Sequence, residues 1–407
     1  MINYKTKNNS LLIVRDVIFF YCLGIFGLYE MFFKETLWKN AFPILYHYYD
    51  MVFDIYVNNL ICLLWVCIVI SFLNSKPNLI KYLLFLLLLI VGYKASIVQG
   101  DVYFYVGMLL IVASNGICAK RILVFWMSLN LPMLFITIVA SKIGIIENWI
   151  ELGRNREYLG YSWTTTPVMV FAYAVFEYLV LKKGHIKAWE FLVIGLIDLW
   201  LFIKTNTRFA FLIVLLVMLI LMLVEYSSGL KRKLLLLRGY MTISPWICCL
   251  LVYIASVFYN PMNSTLYKIN RLLSNRLKQC NYSLNKYPIL TWGQIIDFVQ
   301  TKYATPDNPA TYVDTAYLQV LVRYGWLSLL AFLIISSYIM YRAYKEERYY
   351  IAIVFAAVLV FGLFEQQLYW FQFDMLLILS FADYCRLPSV DWFSLTDHKE
   401  LLCRSEK

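Results

Sequence analysis

The stretch Phe209–Tyr226, FAFLIVLLVMLILMLVEY, decides the solvent in which this chain folds. Its single formal charge stands at Glu225, and the rest is close to the ~20 helical residues that cross a hydrocarbon core of ~30 Å. Runs of this kind recur from near the N-terminus almost to the C-terminus. Lipid offers no hydrogen-bond partners, so every backbone polar group must be paired within the chain, and the runs are read as helices. Composition agrees, because 62% of the 407 residues are hydrophobic and 15% charged, with a mean hydropathy of +0.67. A soluble protein with a polar surface does not reach those values. The chain reads as an all-α polytopic membrane protein.

Spans are expected at approximately 17–33, 51–73, 79–98, 102–118, 122–141, 167–181, 188–204, 209–226, 241–259, 324–341, 351–368 and 371–386, about twelve in all. Basic clusters occur at Lys5, Lys7 and Arg15, at Lys76 and Lys81, at Lys120 and Arg121, at Lys182, Lys183 and Lys187, from Lys231 to Arg238, and from Arg342 to Arg348. Successive clusters are separated by two apolar runs, which puts each of them on the cytoplasmic face and both termini inside, with a cytoplasmic tail at 387–407. This orientation accounts for the net charge of +11 without a nucleic-acid partner. The first apolar run is followed by no small-residue cleavage site, so it is expected to remain as a span. The nine cysteines show no metal-ligand spacing and read as small buried hydrophobes.

Two outward-facing segments exceed the usual length of interhelical loops, 142–166 and 260–312. Within the second, Leu266, Ile269, Leu273, Leu277, Cys280 and Leu284 fall at spacings of three and four. One amphipathic helix is expected there, with Arg276 beside the apolar stripe and Lys268, Arg271, Asn275 and Lys278 turned towards water. The segment is read as an ordered cap.

The first segment carries Gly153–Tyr161, GRNREYLGY, leading into Pro167. The second carries Ser274-Asn275-Arg276-Leu277, then Trp292-Gly293, and is followed by Val313-Asp314-Thr315-Ala316-Tyr317-Leu318 with Gly325 seven residues on. In order and placement these resemble the bacterial polysaccharide polymerases of the Wzy type, whose layout is similar to the GT-C-type membrane glycosyltransferases. The likeness covers most of the chain in topology but only these short patterns in sequence. It implies polymerisation of polyprenyl-diphosphate-linked oligosaccharide repeat units at the outer face of the cytoplasmic membrane. It also implies a flippase and a chain-length regulator of the same pathway as partners. The O-antigen ligases resemble the same layout but carry histidine where this chain has Asp314, and His47, His185 and His398 all lie outside the long loop.

Such a transfer breaks the bond between an anomeric carbon and a diphosphate. It needs positive charge where the leaving group develops and a base for the acceptor hydroxyl. Arginine suits the first task, since its planar fork binds phosphate oxygens and stays charged. Arg154, Arg156 and Arg276 are the candidates for a diphosphate clamp. The first two point to one side only if the segment is extended, which Gly153 and Gly160 permit. Lipid headgroups, or pairing with Glu151 and Glu157, are the competing roles, and for Arg276 snorkelling from an interfacial helix. Arg208 is placed to reach the same pocket or to anchor its helix end. Asp314 is the candidate base and equally a candidate N-cap, with Asp198 and Glu365 as alternatives, because intramembrane carboxylates need a reason. Trp292 and Tyr317 are the aromatic candidates for glycan contact. With no Asp-x-Asp and isolated histidines, neither metal nor cofactor is expected. The rival from another class is a lipid-linked-oligosaccharide flippase, though secondary transporters often show related halves and none is visible here.

Overall fold

The computed structural model describes residues 2–74, 78–151, 153–299, 305 and 310–384. The tail expected at 387–407 lies outside them. Helices α1 (Ile2–Gly27), α2 (Trp38–Ala41), α3 (Pro43–Asn74), α4 (Leu79–Gln99), α5 (Tyr103–Ala113) and α6 (Ala119–Lys142) precede a two-stranded hairpin, β1 (Ile150–Glu151) and β2 (Arg156–Glu157). Helices α7 (Thr166–Leu181), α8 (Ala188–Thr205), α9 (Arg208–Tyr226), α10 (Ser228–Leu236) and α11 (Arg238–Val257) follow, then α12 (Ser264–Leu272) and α13 (Arg276–Lys286). The chain ends its described part with α14 (Ala316–Gln319), α15 (Trp326–Lys345), α16 (Tyr349–Phe361) and α17 (Met375–Ile378).

Seven helices are long and apolar enough to cross a membrane, and α5, α7 and α16 are shorter apolar helices. This is a helical, multi-pass membrane protein. Its outer surface shows why the apolar runs do not betray themselves as a soluble core. On α8, Leu192, Leu196 and Ile203 are each more than 60% exposed while Asp198, Leu201 and Thr205 are buried. An apolar face turned outward and a polar one turned inward suit a lipid solvent.

Three expectations need correction. The run 371–386 is not a continuous helix in its described part, which consists of a loop, the single turn α17 and a tight turn Leu379–Phe381. Likewise α16 stops at Phe361, short of the expected 368. The stretch Glu365–Gln372, EQQLYWFQ, is too rich in polar side chains to leave its backbone to lipid, and it is buried within protein instead. The amphipathic helix over 266–284 is two helices. Ser274 and Asn275 adopt φ of 55° and 68°, a left-handed pair that no α-helix can pass.

The second long segment does more than cap the bundle. Residues 310–315 run without regular structure into its interior, where the Ala316 amide donates to the Gly362 carbonyl (3.0 Å). The Tyr317 hydroxyl donates to the Leu359 carbonyl (2.9 Å). From there α14 continues in wider turns through Val320–Tyr324 to Gly325, and α15 begins. Two unwound segments, 310–315 and 362–374, therefore lie side by side. Irregular backbone at such a place is tolerated only where protein or a polar cavity surrounds it.

Candidate active site

The break at Ser274–Asn275 aims Arg276, the first residue of α13. Its Nε donates to Asp314 Oδ2 (3.1 Å) and its Nη2 to Glu365 Oε1 (2.6 Å), so one guanidinium joins three segments far apart in sequence. Its side chain is 18% exposed, Glu365 8% and Asp314 32%. Burial opposes the charge on Arg276, but Glu365 and Asp314 more than offset this and raise its pKa above the usual arginine range. Asp314 is thus the solvent-facing member of the trio. It is not the N-cap of α14: that position belongs to Thr315, whose side chain makes no capping bond.

The first long segment meets the same place. Arg156, on β2, donates from Nε to the Thr205 carbonyl (2.5 Å) and from Nη2 to Thr207 Oγ1 (3.4 Å), with Glu151 Oε2 3.6 Å from Nη1. It docks at the C-terminus of α8, where unpaired carbonyls favour a cation. Arg156 is within electrostatic reach of Glu365, the carboxylate that Arg276 holds. Phe209 packs on Phe364 with ring centroids 4.1 Å apart, which sets the start of α9 against Glu365 as well. Arg208 is exposed there, its Nε 3.5 Å from Asn206 Oδ1.

Three of the expected roles change. Gly153, Arg154 and Asn155 form the hairpin turn, with Asn155 at φ 47°, so the extended path that would aim Arg154 and Arg156 together is not formed. Arg154 is exposed on the turn and Arg156 half-buried on the strand. Arg276 is not a free clamp either, since two carboxylates already occupy it. Tyr317 is fully buried with its hydroxyl satisfied by Leu359, which removes it from glycan contact. Trp292 is half-buried and packs on the core beside Gly293. Asp198 is buried on α8, both carboxylate oxygens without a partner among the described residues, and it has no link to the trio.

Sequence reasoning missed a polar network that continues from Asp314. Tyr312, within electrostatic reach of Asp314, donates to Gln366 Oε1 (2.7 Å), and Tyr369 donates to Gln319 Oε1 (2.6 Å). Tyr103 bonds Gln372, and the Phe371 amide donates to the Tyr103 hydroxyl (2.8 Å). The signal was present in the polar density of EQQLYWFQ. An open groove of about 590 Å³ lined by Phe20, Cys118, Lys120, Arg121, Val124 and Phe125 lies at the other end of α6 and touches none of these residues. No group of histidine, cysteine and carboxylate side chains able to hold a metal occurs among the described residues.

Glu157 fastens the hairpin. Burial opposes its charge, yet Lys142, Lys204 (3.0 Å) and the Asn148 amide (3.0 Å) outweigh it and hold the carboxyl down to about 2. That is below the ordinary value of ~4.3, so the stabilisation is complete above it and is lost as pH falls through about 2. Glu157→Gln removes the charge at neutral pH and is expected to speed trypsin cleavage after Arg154 and Arg156 about tenfold. Unchanged cleavage would leave the strand pairing alone as what holds the hairpin.

Compared with protein-family models, with curated proteins and with solved structures, the chain finds no match.

Proposed function

We propose that the chain polymerises polyprenyl-diphosphate-linked oligosaccharide repeat units at the outer face of the cytoplasmic membrane. In this reading about twelve spans of a GT-C-type layout keep both termini inside, and the two long segments face outward. The acceptor hydroxyl attacks the anomeric carbon of the donor, the bond to the diphosphate breaks, and the hydroxyl proton passes to Asp314. Arg276 positions Asp314 and Glu365. Arg154 and Arg208, the exposed cations beside Arg156, receive the departing diphosphate.

What carries the reading is the convergence on Glu365: Arg276 from one long segment binds it at 2.6 Å, and Arg156 from the other lies within its field. Buried charges assembled from distant segments, with one carboxylate left facing solvent, suit acid–base work more than packing. The purified protein in liposomes, given a lipid-diphosphate repeat unit and no other protein, is expected to make a ladder of elongated glycans. Translocation without elongation would overturn the assignment.

One observation favours the transporter as second reading. Glu177 and Asp374 are buried within electrostatic reach of each other, and the Tyr173 hydroxyl, within reach of both Asp374 and Glu365, has no partner among the described residues. Intramembrane carboxylates of this kind mark ion pathways in carriers. The same liposomes decide, because a carrier driven through these groups moves the lipid-linked glycan without lengthening it.

A further inference from the structure

Among the described residues, the buried and half-buried arginines are matched with carboxylates in every case but one. Arg15 has Asp16, Arg156 has Glu151, Arg276 has Asp314 and Glu365, and Arg342 and Arg348 share Glu346. Arg323 is the exception among the described residues: it is half-buried and no carboxylate lies within 4 Å of it. Its Nε donates to Gln99 Oε1 (3.3 Å), its planar face lies 5.4 Å from the Tyr324 ring centroid, and the Tyr369 hydroxyl is its other near polar neighbour. These partners are neutral. They satisfy geometry but are not counter-ions, so among the described residues no carboxylate binds this guanidinium directly, and its fork is left to an anion from outside the chain.

The surroundings are built for such a visitor. Gln99 is held in turn, donating from Nε2 to the Gln294 carbonyl (2.7 Å) and to the Arg323 carbonyl, so the guanidinium is carried on a fixed frame. Asp101 lies beyond ion-pair distance but within the field of both Arg323 and Lys34. Lys34, which feels the same Asp101, is itself matched by Glu30 at 2.9 Å. The Tyr312 hydroxyl links this place to the trio, being within reach of both Arg323 and Asp314.

We propose that Arg323, supported by Gln99, is a second diphosphate subsite, which holds the lipid diphosphate of the acceptor. This rests on the polymerase reading. That reaction brings together two lipid-diphosphate substrates, and the acceptor's diphosphate stands at the far end of its oligosaccharide from the attacking hydroxyl. The half-buried Tyr312–Gln366 pair between the two centres offers hydroxyl and amide groups to the sugars that span them, whereas the Tyr369–Gln319 pair is fully buried. At the other end an arginine fork without a carboxylate partner among the described residues matches phosphate oxygens.

The probe is undecaprenyl diphosphate without sugars, added to the purified full chain and counted by native mass spectrometry. Wild type is expected to take up two equivalents and Arg323→Gln one. Arg323→Lys keeps the charge without the fork and is expected to bind the second equivalent about tenfold more weakly. Because Arg323 has no ion pair to lose among the described residues, the melting temperature of Arg323→Gln is expected to stay that of wild type. Two equivalents on Arg323→Gln, or one on wild type, would overturn the subsite, as would a fall in melting temperature with both equivalents retained. A wild-type protein that makes no glycan ladder defeats the polymerase reading itself. A ladder together with unaltered binding by Arg323→Gln defeats only this inference.

Discussion

Arg276→Ala is expected to abolish glycan elongation, at least ~100-fold, and to destabilise the folded chain by on the order of 3 kcal/mol. Both effects have one origin. The guanidinium neutralises Asp314 at 3.1 Å and Glu365 at 2.6 Å, and its loss leaves two carboxylates facing each other in a partly desolvated site. Removing one partner of a buried pair costs far more than the pair itself contributes, since the remaining charge is stranded. Activity and stability separate in a second variant. Arg276→Met combined with Glu365→Met replaces the buried half of the trio with apolar side chains of similar length and leaves Asp314 partly exposed. That double variant is expected to recover most of the melting temperature and none of the elongation. Arg276→Lys, a point charge without a fork, should hold one carboxylate and retain a small residual rate. If Arg276→Ala elongates glycans at the wild-type rate, Asp314 does not depend on it and the proposed chemistry fails. Recovery of activity in the double variant would reduce the trio to packing.

How much of this was legible depended on whether the information was local. The run Phe209–Tyr226 declares a membrane helix because length and apolarity are properties of a short window. The inward aim of Arg276 was local only in part: spacing within α13 sets it beside Leu277 and Cys280, but the stripe that ran back to Leu273 is cut by the left-handed pair Ser274–Asn275. Its partners were not. Asp314 lies 38 positions away and Glu365 89, and no window spans that separation. The left-handed turn at Ser274–Asn275 escaped because serine does not announce positive φ, whereas hydropathy over 371–386 concealed an unwound segment by averaging Gln372 and Asp374 with their apolar neighbours. Tyr317 shows the opposite failure. An aromatic beside a candidate base reads as a ligand platform, yet the chain buries it completely against α16. Arg154 and Arg156 were recognised as a pair, but the turn that sends them to different environments is decided by the β1–β2 pairing, Ile150 with Glu157 and Glu151 with Arg156.

The second large effect belongs to the backbone that carries Arg323. Gly325→Ala is expected to lower the temperature at which the protein loses its monodisperse state in detergent by more than ten degrees, on the order of several kcal/mol. Gly325 has φ 89° and ψ 166°, a region that a side chain excludes. A Cβ there would lie 2.4 Å from the Gly293 nitrogen and 2.4 Å from the Thr291 carbonyl oxygen. Gly293, at φ 82°, is no more permissive, since its Cβ would lie 2.1 Å from the Arg323 carbonyl oxygen. The two glycines let the loop before Gln294 lie directly on the start of α15. There the Gln294 amide donates to the Arg323 carbonyl (3.0 Å) and the Trp326 amide to the Leu290 carbonyl (3.1 Å). Rigid backbone stands on both sides, so neither overlap can be relieved by a rotamer change. Gly144 separates strain from overlap: its φ is 81° but nothing lies within 4 Å of its Cβ, and Gly144→Ala should cost only about 1 kcal/mol. The same contact places the Arg323 carbonyl under Gln99, so Gly293→Ala should also cost the second equivalent of undecaprenyl diphosphate. Equal stability losses at Gly144 and Gly325 would mean that the close approach of the two loops contributes nothing, and the frame argued for Arg323 would fall with it.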